Sequence, residues 1–179
     1  NTENNEEKIA RESLLFHNYG RSAILDKLPD EIDWYEAQIE VDDTEKIYIL
    51  PVLDWFMDTG MTFKLNETKA NLSPQRGHRL SNYPQMPVTH YEKVKGIMAS
   101  EKPVPEGIVM ISTTTSGPYT IIDGTHRSSA LQLQNTINNI TIYLGVAENL
   151  SNCIWSIERK DINDLIRELN QLVNTGSIW

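Results

Sequence analysis

Tyr119-Thr120-Ile121-Ile122-Asp123-Gly124-Thr125-His126-Arg127-Ser128-Ser129-Ala130-Leu131-Gln132-Leu133 reads as a strand, a tight loop and the first turns of a helix. Tyr119 to Ile122 are β-branched or aromatic, which suits a pleated strand. Asp123-Gly124 is a turn signal, because glycine accepts backbone angles that other residues resist. Thr125 is expected to cap a helix continuing through Ala130, Leu131 and Leu133. A helix start carries unpaired N–H groups and partial positive charge. His126 and Arg127 beside it complete a compact anion site, for which phosphate is the expected guest.

Each side chain of the loop has more than one use. Asp123 could bind Mg²⁺, act as a base, or hydrogen-bond the loop's own N–H groups. Gly124 lets backbone approach a ligand. The hydroxyls of Thr125 and Ser128 could touch a phosphate. His126 can donate a ring N–H to a phosphate oxygen, and Arg127 can grip two oxygens with its planar fork. Against this, Asp123 and Thr125 could serve only the turn, His126 could be a hydrogen-bonded core residue, and Arg127 could pair with a carboxylate. Their clustering at one strand-to-helix junction favours anion binding.

Gly107 to Ser112 is a second strand, joined to the first by a turn at Ser116-Gly117-Pro118, so the two are expected to form a hairpin. Ile140 to Leu144 is a strand after the helix, and Asn152 to Ile157 is expected as a last one. Upstream, Tyr35, Ala37, Ile39 and Val41 alternate with polar residues, the period of a half-buried strand. Ile47 to Leu50 is a further apolar stretch, which Pro51 keeps from a central strand. Leu53 to Met57 suits a helical turn. Thr62 to Gln85 reads as a long loop with at most a short helix, and it holds Arg76, His78 and Arg79. Thr89-His90-Tyr91-Glu92 fits a capping box before a helix with Tyr91, Val94, Ile97 and Met98 on one face, ended by Pro103 and Pro105. Helices are expected at 8–18, 21–28 and, with Asp161 as cap and an apolar stripe from Ile162 to Val173, at 160–176. Residues 1–179 are thus expected to form a single α/β (α+β) domain with a helical N-terminal extension over 1–30.

A chain of 179 residues with 39% hydrophobic and 23% charged residues has the size and composition of a globular domain with a real core. Its formal charge of −9 opposes a broad nucleic-acid surface, which needs clustered Lys and Arg. Scattered Lys93, Lys95, Arg159 and Lys160 supply at most a small basic patch. No apolar run approaches a membrane span. A single cysteine, Cys153, set beside apolar residues, points to a buried structural thiol and to a reducing, cytoplasmic compartment.

Ile122-Asp123-Gly124-Thr125-His126-Arg127, with Ala130 following, resembles the ParB/sulfiredoxin superfamily over about Pro103 to Gly145. Members share a small α/β fold whose signature strand runs into Gly-x-His-Arg or Gly-x-Arg-Arg and a helix. Sulfiredoxins use this loop for ATP phosphates with a cysteine just before the His-Arg pair; Thr125 stands there, which removes sulfiredoxin chemistry. ParB proteins bind and hydrolyse CTP but add a basic DNA-binding region with no counterpart here. Relatives with the Asp-Gly-x-His-Arg form look like small-molecule kinases, including free-serine kinases.

The resemblance therefore implies binding of ATP or another nucleoside triphosphate with Mg²⁺, and phosphoryl transfer to an unidentified small acceptor or hydrolysis. Asp123, His126 and Arg127 would be catalytic, Asp123 the metal ligand, and Gly124, Thr125, His126, Arg127 and Ser128 the phosphate site. A second carboxylate has Glu36, Glu40 and Glu101 as candidates, and the Arg76–Arg79 segment could close over the ligand. The alternatives are a nucleotide-responsive module without turnover and a ParB-like nuclease or DNA-associated protein.

Overall fold

The computed structural model describes residues 28–74, 89–100, 107–138, 140–153 and 156–158. Among them, five strands form one mixed sheet: β1 (Asp33–Gln38), β2 (Ile47–Ile49), β3 (Ile108–Ser112), β4 (Tyr119–Asp123) and β5 (Thr141–Val146). Their order across the sheet is β1-β5-β3-β4-β2. The β3 and β4 strands pair antiparallel, as a hairpin. β5 runs parallel to β3 and β2 parallel to β4, while β1 closes the other side antiparallel to β5. Helices α1 (Leu53–Phe56), α2 (Thr68–Asn71), α3 (His90–Ala99) and α4 (Thr125–Gln134) complete an α+β fold.

The central strands are apolar at consecutive positions because both sheet faces are covered. Every residue of β3 and β4 is buried. Ile108 and Met110 of β3, Ile121 of β4 and Ile142 and Leu144 of β5 join Val94 of α3 and Ala130 and Leu131 of α4 in the main core. Val109, Ile111 and Ile122 turn to the other face, where they meet Trp34, Leu150 and Cys153. Each fully buried Ile or Met there contributes about 1.5–3 kcal/mol of transfer free energy. Cys153 is buried, as its apolar neighbours in the sequence suggest. Gly145 lies opposite Trp34, and a Cβ on it would stand 2.9 Å from the indole; the absent side chain is what lets Trp34 lie across β5.

Three expectations need correction. The alternation around β1 does not bury all of its apolar members: Ile39 is inside, but Tyr35 and Val41 are 43% and 68% exposed. β1 is an edge strand with one neighbour, and Val41 already belongs to a 3-10 helix, Val41–Lys46. No strand forms in the described part of Asn152–Ile157; a 3-10 helix, Glu148–Asn152, leads into Cys153, and Leu150 on it closes the second face. Thr125 is not the helix cap, as described below. The helices expected at 8–18, 21–28 and 160–176 lie, except for Leu28, outside the described residues, as do Arg76, His78, Arg79, Glu101, Pro103 and Pro105.

Candidate functional site

The hairpin strand β4 delivers Asp123 to the end of the sheet. Its pairing with β3 slips between Val109 and Met110, whose partners are Asp123 and Ile121, so Ile122 is an extra residue in the ladder. Such a bulge re-aims the chain at the strand's end. Gly124 then turns it with φ +89°, a left-handed angle that other residues adopt only at a cost. Gly124 is therefore the N-cap of α4 and Thr125 its first helical residue, with no side chain capping the helix. A Cβ at Gly124 would lie 3.0 Å from Ile108 and 3.2 Å from the Arg127 guanidinium, tight contacts that favour glycine in addition to the angle.

The junction splits its charged residues from its imidazole. Arg127 Nη2 donates to Asp123 Oδ2 at 2.9 Å and to the Gly107 carbonyl at 3.2 Å. Asp123 is 1% exposed and Arg127 8%. Arg127 thus holds the end of β4 and the start of β3 to the first turn of α4. His126 is turned the other way and half-buried. Its Nε2 lies 2.8 Å from Nδ1 of His90, the first residue of α3. Trp55, buried on α1, stacks on His90 with ring centroids 4.0 Å apart and planes 25° apart, and leans on His126 at 5.1 Å. Burial, helped by the charge of Lys93, lowers the His90 pKa to about 4. His90 is therefore neutral near pH 7. Ser128, fully buried, donates its backbone N–H to Gly124 O at 2.8 Å, and its Oγ has no hydrogen-bond partner.

Helix α3 begins with the capping box read in its sequence. Thr89 Oγ1 accepts from the Glu92 N–H at 3.1 Å, and Glu92 accepts from the Thr89 N–H at 2.8 Å. That box fixes the backbone from which His90 projects. The two ten-residue helices α3 and α4 pack together with their N-terminal ends meeting at the histidines. The positive end of the α3 dipole is met by the Glu92 carboxylate of its own capping box, whereas that of α4 has no side-chain cap.

Compared with known proteins, the chain matches no family model, no curated protein and no solved structure.

Of the residues singled out in the sequence, Asp123, Gly124, Thr125, His126, Arg127 and Ser128 stand together at the junction. Of the candidate second carboxylates, neither Glu36 nor Glu40 joins them, and Glu101 lies outside the described residues. Glu36 projects from β1, separated from β4 by β5 and β3. Glu40 lines a cavity of about 140 Å³ with Asp43, Tyr119, Ile39 and Met110. That cavity sits at the start of β4, about 13 Å from Asp123 at ~3.3 Å per strand residue. There the Tyr119 hydroxyl donates to Thr115 O at 2.9 Å, and burial together with Asp43 raises its pKa.

Among the described residues, no group of three or more His, Cys, Asp or Glu side chains converges to hold a metal. Asp123, buried against Arg127, does not fit the expected role of Mg²⁺ ligand in this arrangement. What sequence reading missed is His90 and Trp55. His90 was visible only as part of a capping box, and its pairing with His126 spans 36 residues.

Proposed function

We propose that the β4–α4 junction binds the phosphates of a nucleoside triphosphate, with phosphoryl transfer to a small acceptor or hydrolysis as the accompanying chemistry. The observation that carries this is the meeting of two helix N-termini at His90 and His126, one of them opening on an uncapped glycine. Backbone N–H groups and aligned dipoles at such ends favour an anion. Thr125, half-buried on the first turn of α4, supplies a hydroxyl, and His126 stands beside it on the same turn. The likeness of Asp123-Gly124-Thr125-His126-Arg127 to the ParB/sulfiredoxin signature supports the same reading.

In this arrangement Arg127 acts on the architecture of the loop, because its guanidinium is engaged by Asp123 and Gly107. For Asp123 to accept the proton of an acceptor hydroxyl, that ion pair has to open, with phosphate oxygens replacing the carboxylate on Arg127. No step is assigned to a metal ion. A nucleotide-responsive module without turnover is the second reading, and the closed Asp123–Arg127 pair favours it.

The test is thermal unfolding with ATP, CTP or GTP, each with and without Mg²⁺. Nucleotide raises the unfolding temperature of the wild type and not of His126→Ala. An unchanged temperature with every nucleotide overturns the proposal. Product formation by the shifted protein selects the enzyme, and a shift without product selects the module.

A further inference from the structure

We infer that the cavity at the start of β4 binds a small organic ammonium ion, its charged head beside Asp43, Glu40 and the Tyr119 hydroxyl and its apolar body against Met110, Ile142 and Leu144. This site lies at the opposite end of β4 from the His126 junction and does not rest on the phosphate reading.

The walls of the cavity divide by polarity. Met110 of β3 and Ile142 and Leu144 of β5 are buried and line it from the sheet. Glu40 and Asp43 stand at its mouth, where solvent reaches both. Its volume of about 140 Å³ is close to that of an apolar cavity of about 150 Å³ that holds one benzene molecule. A nucleotide is too large for it, since sites for drug-sized ligands run to about 300–1,000 Å³.

The polar atoms around this space call for a positively charged donor. Tyr119 is 7% exposed, and its hydroxyl gives its hydrogen to Thr115 O at 2.9 Å, with Asp43 Oδ1 a longer 3.4 Å away. Burial and the charges of Asp43 and Glu40 raise the phenol's pKa, so that hydrogen stays in place. Among the described residues no N–H or O–H donates to the phenolic oxygen, whose acceptor capacity is therefore open to a guest. Lys46 is the cation at hand. Its Nζ is 3.4 Å from Asp43 Oδ1 on a side chain 45% exposed, a contact that a guest displaces at little cost. The two carboxylates repel an anion. A hard divalent cation needs about six oxygen ligands, which an apolar wall does not supply. An ammonium group on a short apolar body satisfies both halves of the cavity.

Benzylamine, benzyl alcohol and benzoate carry the same ring and differ in charge, so they test the assignment on the wild-type protein. Methyl NMR spectra at neutral pH report where each one binds. Benzylamine is expected to shift the methyl groups of Met110, Ile142 and Leu144 with a Kd in the millimolar range, as suits a ligand of about eight heavy atoms. It should bind about fivefold more tightly than benzyl alcohol, a modest ratio because solvent reaches the mouth. Benzoate should leave the methyl groups unmoved. Equal binding of amine and alcohol, binding of benzoate, shifts centred elsewhere, or an unmoved spectrum with all three overturns the proposal.

Two variants separate charge from shape. Asp43→Asn keeps the size of the side chain and one acceptor oxygen but removes the charge. It should weaken benzylamine about threefold and leave benzyl alcohol unchanged. Equal weakening of both probes overturns the role given to the carboxylate. Ala37→Leu adds bulk to the β1 wall of the cavity and should block both probes. Undiminished binding to it puts the amine at another place and overturns the proposal; if that variant does not fold, the wild-type spectra decide. No nucleotide enters these experiments, so their outcome and that of the phosphate reading are separate.

Discussion

Arg127, in the first turn of α4, reaches back across Gly124 to Asp123 at the end of β4, closing a 2.9 Å ion pair in which the two side chains are only 10% and 1% exposed. A charge pair this deep is costly to assemble, but removing one member is worse, because the other is left buried and uncompensated. Asp123→Asn or Arg127→Met alone is therefore expected to destabilise the fold by about 3–5 kcal/mol. The double variant should cost less than the sum of the two, which urea unfolding of the four proteins of the cycle will show. Additive losses would mean that the pair is not coupled.

Gly124→Ala places a side chain on a residue at φ +89°, against Ile108 and Arg127. Left-handed strain alone costs on the order of 1–3 kcal/mol. The loss should appear as a lower denaturation midpoint with an unchanged slope. A midpoint within error of the wild type would show that the junction relaxes freely.

Acid should weaken the fold through His90. Its pKa is about 4 in the folded protein and 6.5 in the absence of burial. Between those values the unfolded chain binds a proton that the folded chain refuses, so stability falls as pH drops through that window. The contribution is complete above about pH 6.5, gone below about pH 4, and on the order of 3 kcal/mol at most. His90→Phe should lose that part of the pH dependence. Identical slopes for the two proteins between pH 6.5 and 4 would show that His90 is not the group responsible.

Thr89→Ala removes the hydroxyl that accepts from the Glu92 N–H at the start of α3. About 1 kcal/mol of stability should go with it. Thr89→Ser, which keeps the acceptor, should recover most of that; if both variants cost the same, the loss lies in packing and not in the cap.

Much of the sheet was legible because its signals are local. The apolar run of β3, the strand–Asp–Gly–helix passage of β4 and α4, and the Thr89–Glu92 box each lie within a few consecutive residues. The edges were harder to read. Tyr35 and Val41 keep the alternation of a buried face, but β1 has a neighbour on one side only, and alternation carries no information about that. At the site, the sequence showed which residues share the loop but not which way they turn. Arg127 goes inward because the carboxylate four residues earlier is within reach of its fork. His126 turns outward from that pair because a second imidazole, brought by another helix, waits at hydrogen-bond distance. Neither choice is encoded within the loop itself.

The place of β3 between β4 and β5 has a consequence for the order of assembly. Met110 finds Ile121 by closing a short hairpin, whereas Asp33 must find Val146 across most of the described chain. Closing the longer loop costs more chain entropy, so the hairpin is expected to form first and the β1 edge last. Substitutions at Ile111 should slow folding, and those at Trp34 should mainly speed unfolding, as φ-values will show. The meeting of His90 with His126 also joins distant segments. That pairing of imidazoles is then completed near the end of folding, after the scaffold that carries it already stands.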